Sequence, residues 1–334
     1  MADRSALADA LHATAHAWTD PDHPPRVQAI ADACDQSDLF TEDHATYAVN
    51  QQMDACVHAD LQEAAHSAAG PHAVDLHLTG TAPLYGHAFI AYLLLRGTTV
   101  HLHNTPDERP LLHAVWEAVP EAPIRWKTHE EADQKDKSER PTYVLGPADE
   151  AIPADWQSTE RPAVVVLDGH ESADEREALA EDILVYDGRA PQHVGLIWAP
   201  DDLMPDAYLE AMAHLRAAIP AHDSLPGALQ MQQAFLEAQD QPHAYAEDMT
   251  FLFSKGAPQI QDGAHVRWTP YDTPRDIATW YDAHADAVGP VLHRADLPEK
   301  LLPSAASTRH LGTLHRLDWW PPVVQQWAAW WETE

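Results

Sequence analysis

The sequence predicts an α/β protein of two domains, each built on an open parallel sheet. Between Val74 and His103 a strand, a glycine turn, an apolar helix and a second strand follow one another. Between Ala163 and Trp198 the same order recurs. Strand, helix, strand is the βαβ unit of a parallel sheet. The runs Ala163–Leu167 and Val194–Trp198 are moreover apolar without alternation, as expected of strands buried on both faces.

The elements follow in order. Apolar residues at three- and four-residue spacing predict helices over 4–17 and 26–34. Thr41-Glu42-Asp43 reads as a helix start, with Thr41 as cap and acids in the first turn, and that helix is expected to reach Ala69 before Gly70-Pro71. Val74–Leu78 is a strand, Thr79–Pro83 a turn, Leu84–Arg96 a helix and Thr98–His103 a second strand. Pro110–Ala118 is a helix, Tyr143–Leu145 a strand tip and Gly146-Pro147 a turn. Ligands of such sheets bind beyond the carboxyl ends of the strands, which places Thr79–Pro83, His103–Thr105 and Gly146–Ala148 at the first candidate site. In the second half, Ala163–Leu167 leads through Asp168-Gly169 to a helix over Asp174–Tyr186 and then to the strand Val194–Trp198. Helices follow at 205–218, 226–238 and 274–287, with short strands near 249–253 and 264–268. The tryptophans at 319, 320, 327, 330 and 331 read as an aromatic helix face packed on the body or on a sister subunit.

Charge limits the partners. The 334 residues carry 53 acidic and 20 basic side chains, a formal net charge of −33, and only five are lysines: Lys127, Lys135, Lys137, Lys255 and Lys300. The acid is spread along the whole chain and 45% of residues are hydrophobic, so this is an acidic folded surface rather than a disordered tail. Such a surface repels itself in dilute buffer and suits concentrated salt. Nucleic acid and anionic membranes, which need basic patches, are not expected partners. A small anionic ligand is still accommodated in principle by backbone N–H groups. Met1–Asp20 is polar, without a charged region followed by an apolar core, so the cytoplasm is the expected compartment. Cys34 and Cys56 make no disulfide framework and read as small buried thiols. His101-x-His103 share one strand face, but no further ligand set is recognisable and no metal is expected. Asp168-Gly169-His170-Glu171 reads as a polar loop rather than an acid/base pair, and Asp182 and Asp187 as solvated.

Several short stretches carry a family resemblance. Leu78-Thr79-Gly80-Thr81-Ala82-Pro83-Leu84-Tyr85-Gly86 resembles the AGN-x-P-L-x-G turn of the acyl-CoA reductases, a family within the aldehyde dehydrogenase superfamily that includes the fatty-acid reductase of bacterial luciferase systems. Leu179–Gly188 resembles the helix leading to that family's catalytic cysteine, Val194–Pro200 the strand after it, and Phe40-Thr41-Glu42 its N-terminal region. The likeness covers roughly residues 38–235. It implies an aldehyde-dehydrogenase-like fold with a nucleotide-binding-type domain over 1–162, a catalytic-type domain over 163–300 and a tryptophan-rich segment over 301–334. It implies NADPH-dependent reduction of a fatty acyl thioester to an aldehyde, through a cysteine thiolate that takes the acyl group. NADPH or NADH and acyl-CoA are thus the implied ligands, with Thr79, Gly80, Thr81, His103, Gly146 and Pro147 at the cofactor positions. A homo-oligomer or a protein partner is also expected.

The positions that carry the chemistry have changed. Where the family reads G-x-G-C-R-N-V, this chain reads Gly188-Arg189-Ala190-Pro191-Gln192-His193-Val194, with Pro191 at the nucleophile. Thr81 stands at the oxyanion asparagine, His103 at the ribose lysine, and Pro147 at the serine of the turn that guards the nicotinamide. Two readings follow: a divergent reductase that still uses NADPH, or a non-catalytic binding or scaffold subunit. The charge makes one expectation independent of either. Raising KCl from about 0.1 to about 1 M shortens the screening length from roughly 10 to 3 Å. The thermal unfolding midpoint, followed by circular dichroism, is expected to rise across that range.

Overall fold

A computed structural model describes residues 3–36, 40–127, 140–147, 151–158, 160–316 and 320–333. The chain forms two compact units: residues 1–38, 42–159 and 317–334 make the first, residues 39–41 and 160–316 the second. The C-terminal segment is therefore divided, since residues 301–316 stay with the second unit and the last helix returns to the first.

The first unit opens with helices α1 (Arg4–Trp18), α2 (Pro24–Gln36), α3 (Glu42–His58) and α4 (Leu61–His66). The single long helix expected after Thr41 is broken at Ala59-Asp60, because the Asp60 carboxylate accepts the Glu63 N–H and caps a new helix. The sheet then forms from β1 (Ala73–Leu78), β2 (Thr99–Leu102), β3 (Ile124–Trp126), β4 (Thr142–Leu145) and β5 (Trp156–Gln157), in the order β3-β2-β1-β4-β5. All of these pairings are parallel. The strand order reverses between β1 and β4, the position where doubly wound sheets bind ligands. Helix α5 (His87–Leu95) follows β1, and α6 (Pro110–Glu117) follows β2. The turn before α5 is longer than expected, since Leu84 and Gly86 both have positive φ and delay the helix to His87.

Both crossovers step in the same direction along the sheet, so right-handedness puts α5 and α6 on one face. Val74, Leu76, Leu78, Val100, Leu102, Tyr143 and Leu145 are buried on that side. The alternate residues, Asp75, His77, His101 and His103, point to the other. Helix α11 (Pro322–Trp331) closes the apolar layer. Trp327 is fully buried, with its ring 5.8 Å from Tyr92, 6.1 Å from Tyr143 and 6.2 Å from Phe89, and the Arg96 guanidinium lies 5.6 Å from it. The tryptophan face thus packs on the first unit itself.

The second unit holds β6 (Ala163–Val166), β7 (Val194–Pro200), β8 (His243–Tyr245), β9 (Leu252–Lys255), β10 (His265–Tyr271), β11 (Val291–His293) and β12 (Thr308–His310), in the order β12-β11-β6-β7-β10-β9-β8. Its pairings are parallel except β8 with β9. Helices α7 (Ala173–Leu184), α8 (Asp206–Ala218), α9 (Leu225–Ala238) and α10 (Pro274–His284) complete it. Asp182, expected in solvent, is buried, and its carboxylate accepts the N–H groups of Gly312 (2.6 Å) and Leu314 (2.9 Å). Asp187 is also buried, paired with Arg216 Nη1 at 2.9 Å and accepting the His222 N–H at 3.0 Å. Acidic composition suggested solvent at both positions; unsatisfied backbone N–H groups and a buried guanidinium explain why they lie inside.

The aromatic layer yields a test. Trp327→Ala should cost about 3–5 kcal/mol, the usual range for emptying a buried tryptophan site, read by chemical unfolding in concentrated KCl.

Candidate functional site

The sequence places candidate residues in each unit. In the first unit they gather where β1 and β4 end. Thr79 Oγ1 donates to the Pro147 carbonyl at 2.8 Å, and the Thr79 N–H donates to the Leu145 carbonyl at 2.9 Å. Gly146, at φ +114°, sits so close that a methyl group there would come within 2.6 Å of both Gly80 N and Thr79 Oγ1. Its own N–H donates to Ser158 Oγ at 2.9 Å. A methyl group on Gly80 would meet the Tyr85 ring at 2.6 Å. Arg109 binds the same turn, donating to the carbonyls of Gly80 (2.6 Å) and Leu78 (2.7 Å). Thr79, Gly80, Gly146 and Pro147 are therefore brought together, while Thr81 is exposed beside them. Ala148 lies outside the described residues.

His103 is held elsewhere on the sheet. Its Nε2 is 3.0 Å from Asp75 Oδ1, and its ring centroid is 4.0 Å from that of His77. Asp75 also accepts two hydrogen bonds from Arg140, at 3.0 and 3.1 Å. Asp75, Arg140, Tyr85 and Arg109 were not among the residues the sequence singled out. A charged residue at an inward position of a strand was the available signal for Asp75.

A dinucleotide needs open backbone N–H groups and uncovered glycines for its pyrophosphate. Here the N–H groups of Thr79 and Gly146 already have partners, and Tyr85 covers Gly80. Among the described residues no helix lies between β4 and β5 to present a fresh N-terminus. The described residues at this edge do not fit the dinucleotide that the resemblance implies.

The second candidate site is the turn before β7. Tyr186 and Asp187 both adopt left-handed backbone (φ 57° and 56°), and Gly188 follows at φ +63°. Such conformations are costly for residues other than glycine and persist where their surroundings fix them. Here the buried Asp187–Arg216 pair does so. Arg189 donates to Ser224 Oγ at 2.9 Å. His193 pins the far side of the turn: Nδ1 is 3.0 Å from the Ala190 carbonyl, and Nε2 is 3.0 Å from the Gln261 carbonyl and 3.2 Å from Asp262 Oδ1. Residues 260–263 press on the turn, since methyl groups at Gly188 and Gly195 would meet the carbonyls of Gly263 and Gln261 at 2.5 and 2.2 Å. Pro191 and Gln192 form the tip. No cysteine, serine or threonine occurs from Tyr186 to Pro200.

The thiols offer no replacement. Burial pushes Cys56 up to about 12, and burial with Glu42, Asp35 and Asp43 raises Cys34. Both thiols are thereby held in the unreactive form. The Asp168–Glu171 loop is a structural knot: Asp168 pairs with Arg294 through two 2.9 Å bonds, and the buried Glu171 accepts the Tyr208 hydroxyl at 2.5 Å. Ser254, His265 and Gln232 form a chain of two 2.7 Å bonds resembling a nucleophile relay. Burial holds His265 neutral, at about 4, but Ser254 is itself buried and gives no substrate access. Among the described residues, no group of three or more metal-ligating side chains could hold an ion, and no helix is long and apolar enough to cross a membrane.

Comparison with known proteins places the fold. No family model matches the sequence, and no curated protein matches it significantly. Solved structures do. The NAD-dependent aldehyde dehydrogenase from Sinorhizobium meliloti superposes with a TM-score of 0.66 at 10% identity, covering 93% of this chain and 75% of that one. The fold is that of the aldehyde dehydrogenases. The NAD-dependent benzaldehyde dehydrogenase from Corynebacterium glutamicum gives 0.62 at 12% identity, over 96% of this chain and 84% of that one. The NADP-dependent glyceraldehyde-3-phosphate dehydrogenase from Bacillus halodurans C-125 gives 0.62 at 13%, over 91% and 78%. At such identities the aldehyde dehydrogenase fold is what is shared.

The His193 contacts set a pH dependence. Burial alone would lower its pKa, but Asp262 and the carbonyls of Ala190 and Gln261 outweigh burial and raise it above the ordinary 6.5. A raised histidine stabilises the fold fully below its unfolded pKa and loses that contribution as pH climbs through the folded one. Stability should therefore fall as pH rises above 6.5, and His193→Asn should flatten that slope in unfolding curves recorded across pH.

Proposed function

We propose that this chain is a non-catalytic relative of the acyl-CoA reductases, a binding or scaffold subunit that keeps the aldehyde dehydrogenase fold without its reaction. The observation that carries this reading is Pro191 at the tip of the left-handed turn, at the position where the resemblance puts the acyl-accepting cysteine. Proline has no side-chain nucleophile, and no hydroxyl-bearing serine or threonine or thiol stands within the surrounding segment from Tyr186 to Pro200. A covalent acyl step needs one, with a lowered pKa. Two further observations support the reading. The backbone N–H groups of Thr79 and Gly146 at the β1 and β4 ends are engaged by the chain itself, and the raised pKa of both cysteines opposes thiolate formation.

The experiment uses the intact protein in concentrated KCl. NADPH and NADH are titrated while tryptophan and nicotinamide fluorescence are followed. Acyl-CoA of short, medium and long chains is then added, and the protein is analysed by intact mass. No micromolar nucleotide binding, no acyl adduct and no NADPH oxidation are expected. A mass increase equal to the acyl group, or acyl-CoA-dependent NADPH oxidation, would overturn the reading in favour of a divergent reductase.

A further inference from the structure

Among the described residues four arginines are buried: Arg26, Arg96, Arg216 and Arg267. The chain answers three of them. Arg26 donates to the Trp18 carbonyl at 2.8 Å and to the Asn50 side chain at 2.7 Å. Arg96 donates to the Tyr92 hydroxyl at 2.8 Å and lies over the Trp327 ring. Arg216 pairs with Asp187 at 2.9 Å. Arg267 is different. It is 5% exposed, and its Nε and Nη1 are closed off without a hydrogen-bond partner. No described carboxylate pairs with it. Burial lowers its pKa with no acid to offset the effect, whereas Asp187 offsets it at Arg216.

A guanidinium keeps its charge and carries five N–H donors. Burial of such a group with neither acceptor nor countercharge is among the costliest arrangements a fold can hold. A chain with 53 acidic residues has carboxylates in plenty, so a buried cation without one needs an explanation.

The groups around Arg267 are donors or neutral. It stands in one row across the second sheet with Ser254 of β9 and His243 of β8. His265, two residues before it on β10, shares that side of the sheet. His265 is held neutral by burial and is bonded to Ser254 and Gln232. Exposed Glu237 lies 4.0 Å from His243 Nε2 and makes no pair with Arg267.

Gly256 shapes the place. Its φ is not positive, so the backbone does not call for glycine. Its neighbours do. A methyl group there would come within 2.5 Å of Gln241 Nε2 and 2.9 Å of Arg267 Nη1. Two donors from different segments thus converge beside one Cα. Gln241 Nε2 gives one N–H to the Lys255 carbonyl at 3.2 Å and keeps a second.

We propose that Arg267, with the free N–H of Gln241, is a binding site for a small monovalent anion: a halide, or the carboxylate of a small molecule. One positive charge beside a neutral His265 is balanced by one negative charge. Water would satisfy the N–H groups and leave the charge unanswered. The net charge of −33 opposes an anion in dilute buffer. At about 1 M salt the screening length is about 3 Å, and the local cation decides. The site is independent of whether the protein catalyses anything.

Crystals of the intact protein in concentrated KBr are expected to show an anomalous-scattering peak within hydrogen-bonding distance of Arg267 and Gln241 Nε2. Acetate titrated against bromide at constant potassium separates the two sources. Loss of the peak identifies a site that takes carboxylates, and persistence one that holds halide; either fits the proposal. Solution stability gives a second readout. Arg267→Met keeps the apolar stem and removes the charge. Screening should still raise its thermal midpoint with KCl, but binding should not contribute. The unsubstituted protein should gain on it by a few degrees between about 0.1 and 3 M KCl, levelling off as the site fills. Gln241→Leu leaves the buried cation in place and keeps the test decisive if Arg267→Met does not fold. It should weaken bromide binding roughly tenfold, read from peak occupancy across a KBr series. No peak at Arg267, or undiminished binding by Gln241→Leu, would overturn the proposal. So would midpoints of the unsubstituted protein and Arg267→Met that rise in parallel, since a bromide seen at Arg267 would then be an adventitious ion only.

Discussion

Right-handed crossovers carry the chain from β1 to β2 and from β2 to β3, and this places α5 and α6 on the same face of the first sheet. The other described helices of that unit stack on the same side, and the apolar half of each strand faces them. The alternate half holds Asp75, His77, His101 and His103 beside Val144 of β4. A buried carboxylate in that row requires polar partners: Arg140 pairs with it, and His103 Nε2 lies 3.0 Å from it. His103 is thus tied sideways along the sheet, at the position where the resemblance expects a lysine that reaches a ribose. On the proposed reading, the absence of that lysine and the presence of Asp75 are one arrangement rather than two separate departures.

The second unit shows a similar commitment of polar groups to packing. Its turn before β7 keeps an unusual backbone, but the groups around it serve the turn itself. Arg216 answers Asp187, His193 bridges two carbonyls, and residues 260–263 fill the space against Gly188 and Gly195. A reactive turn would need room for a substrate beside a nucleophile. This one has a proline at its tip and carbonyl groups pressed on its glycines.

The sequence disclosed the strands that are long or wholly apolar, β1, β2, β6 and β7, together with most helices, because buried runs and helical spacing are strong local signals. Strands β3, β5, β8, β11 and β12 went unseen; each is two or three residues long, and most are only partly buried. Such strands are made by their neighbours rather than by their own residues. Asp60 was a readable break, since an aspartate three residues before Glu63 is a capping pattern. The burial of Asp182 and Asp187 was not readable, because it depends on residues remote in sequence: the loop at Gly312 and Leu314, and Arg216 on α8. The candidate residues at the β1 and β4 turns were found from their glycines, but the side chains that close those turns, Tyr85 and Arg109, carry no motif.

The left-handed run from Tyr186 to Gly188 has a consequence for how such chains change over time. Aspartate and glycine tolerate that backbone far better than most residues do. Asp187 cannot be replaced freely while Arg216 lies buried against it, and Gly188 cannot take a side chain while Gly263 is in contact. Drift at this turn is thus confined by packing, whatever the chemistry at its tip. On the proposed reading, a turn that began as part of a catalytic device outlives the device because the fold leans on its shape.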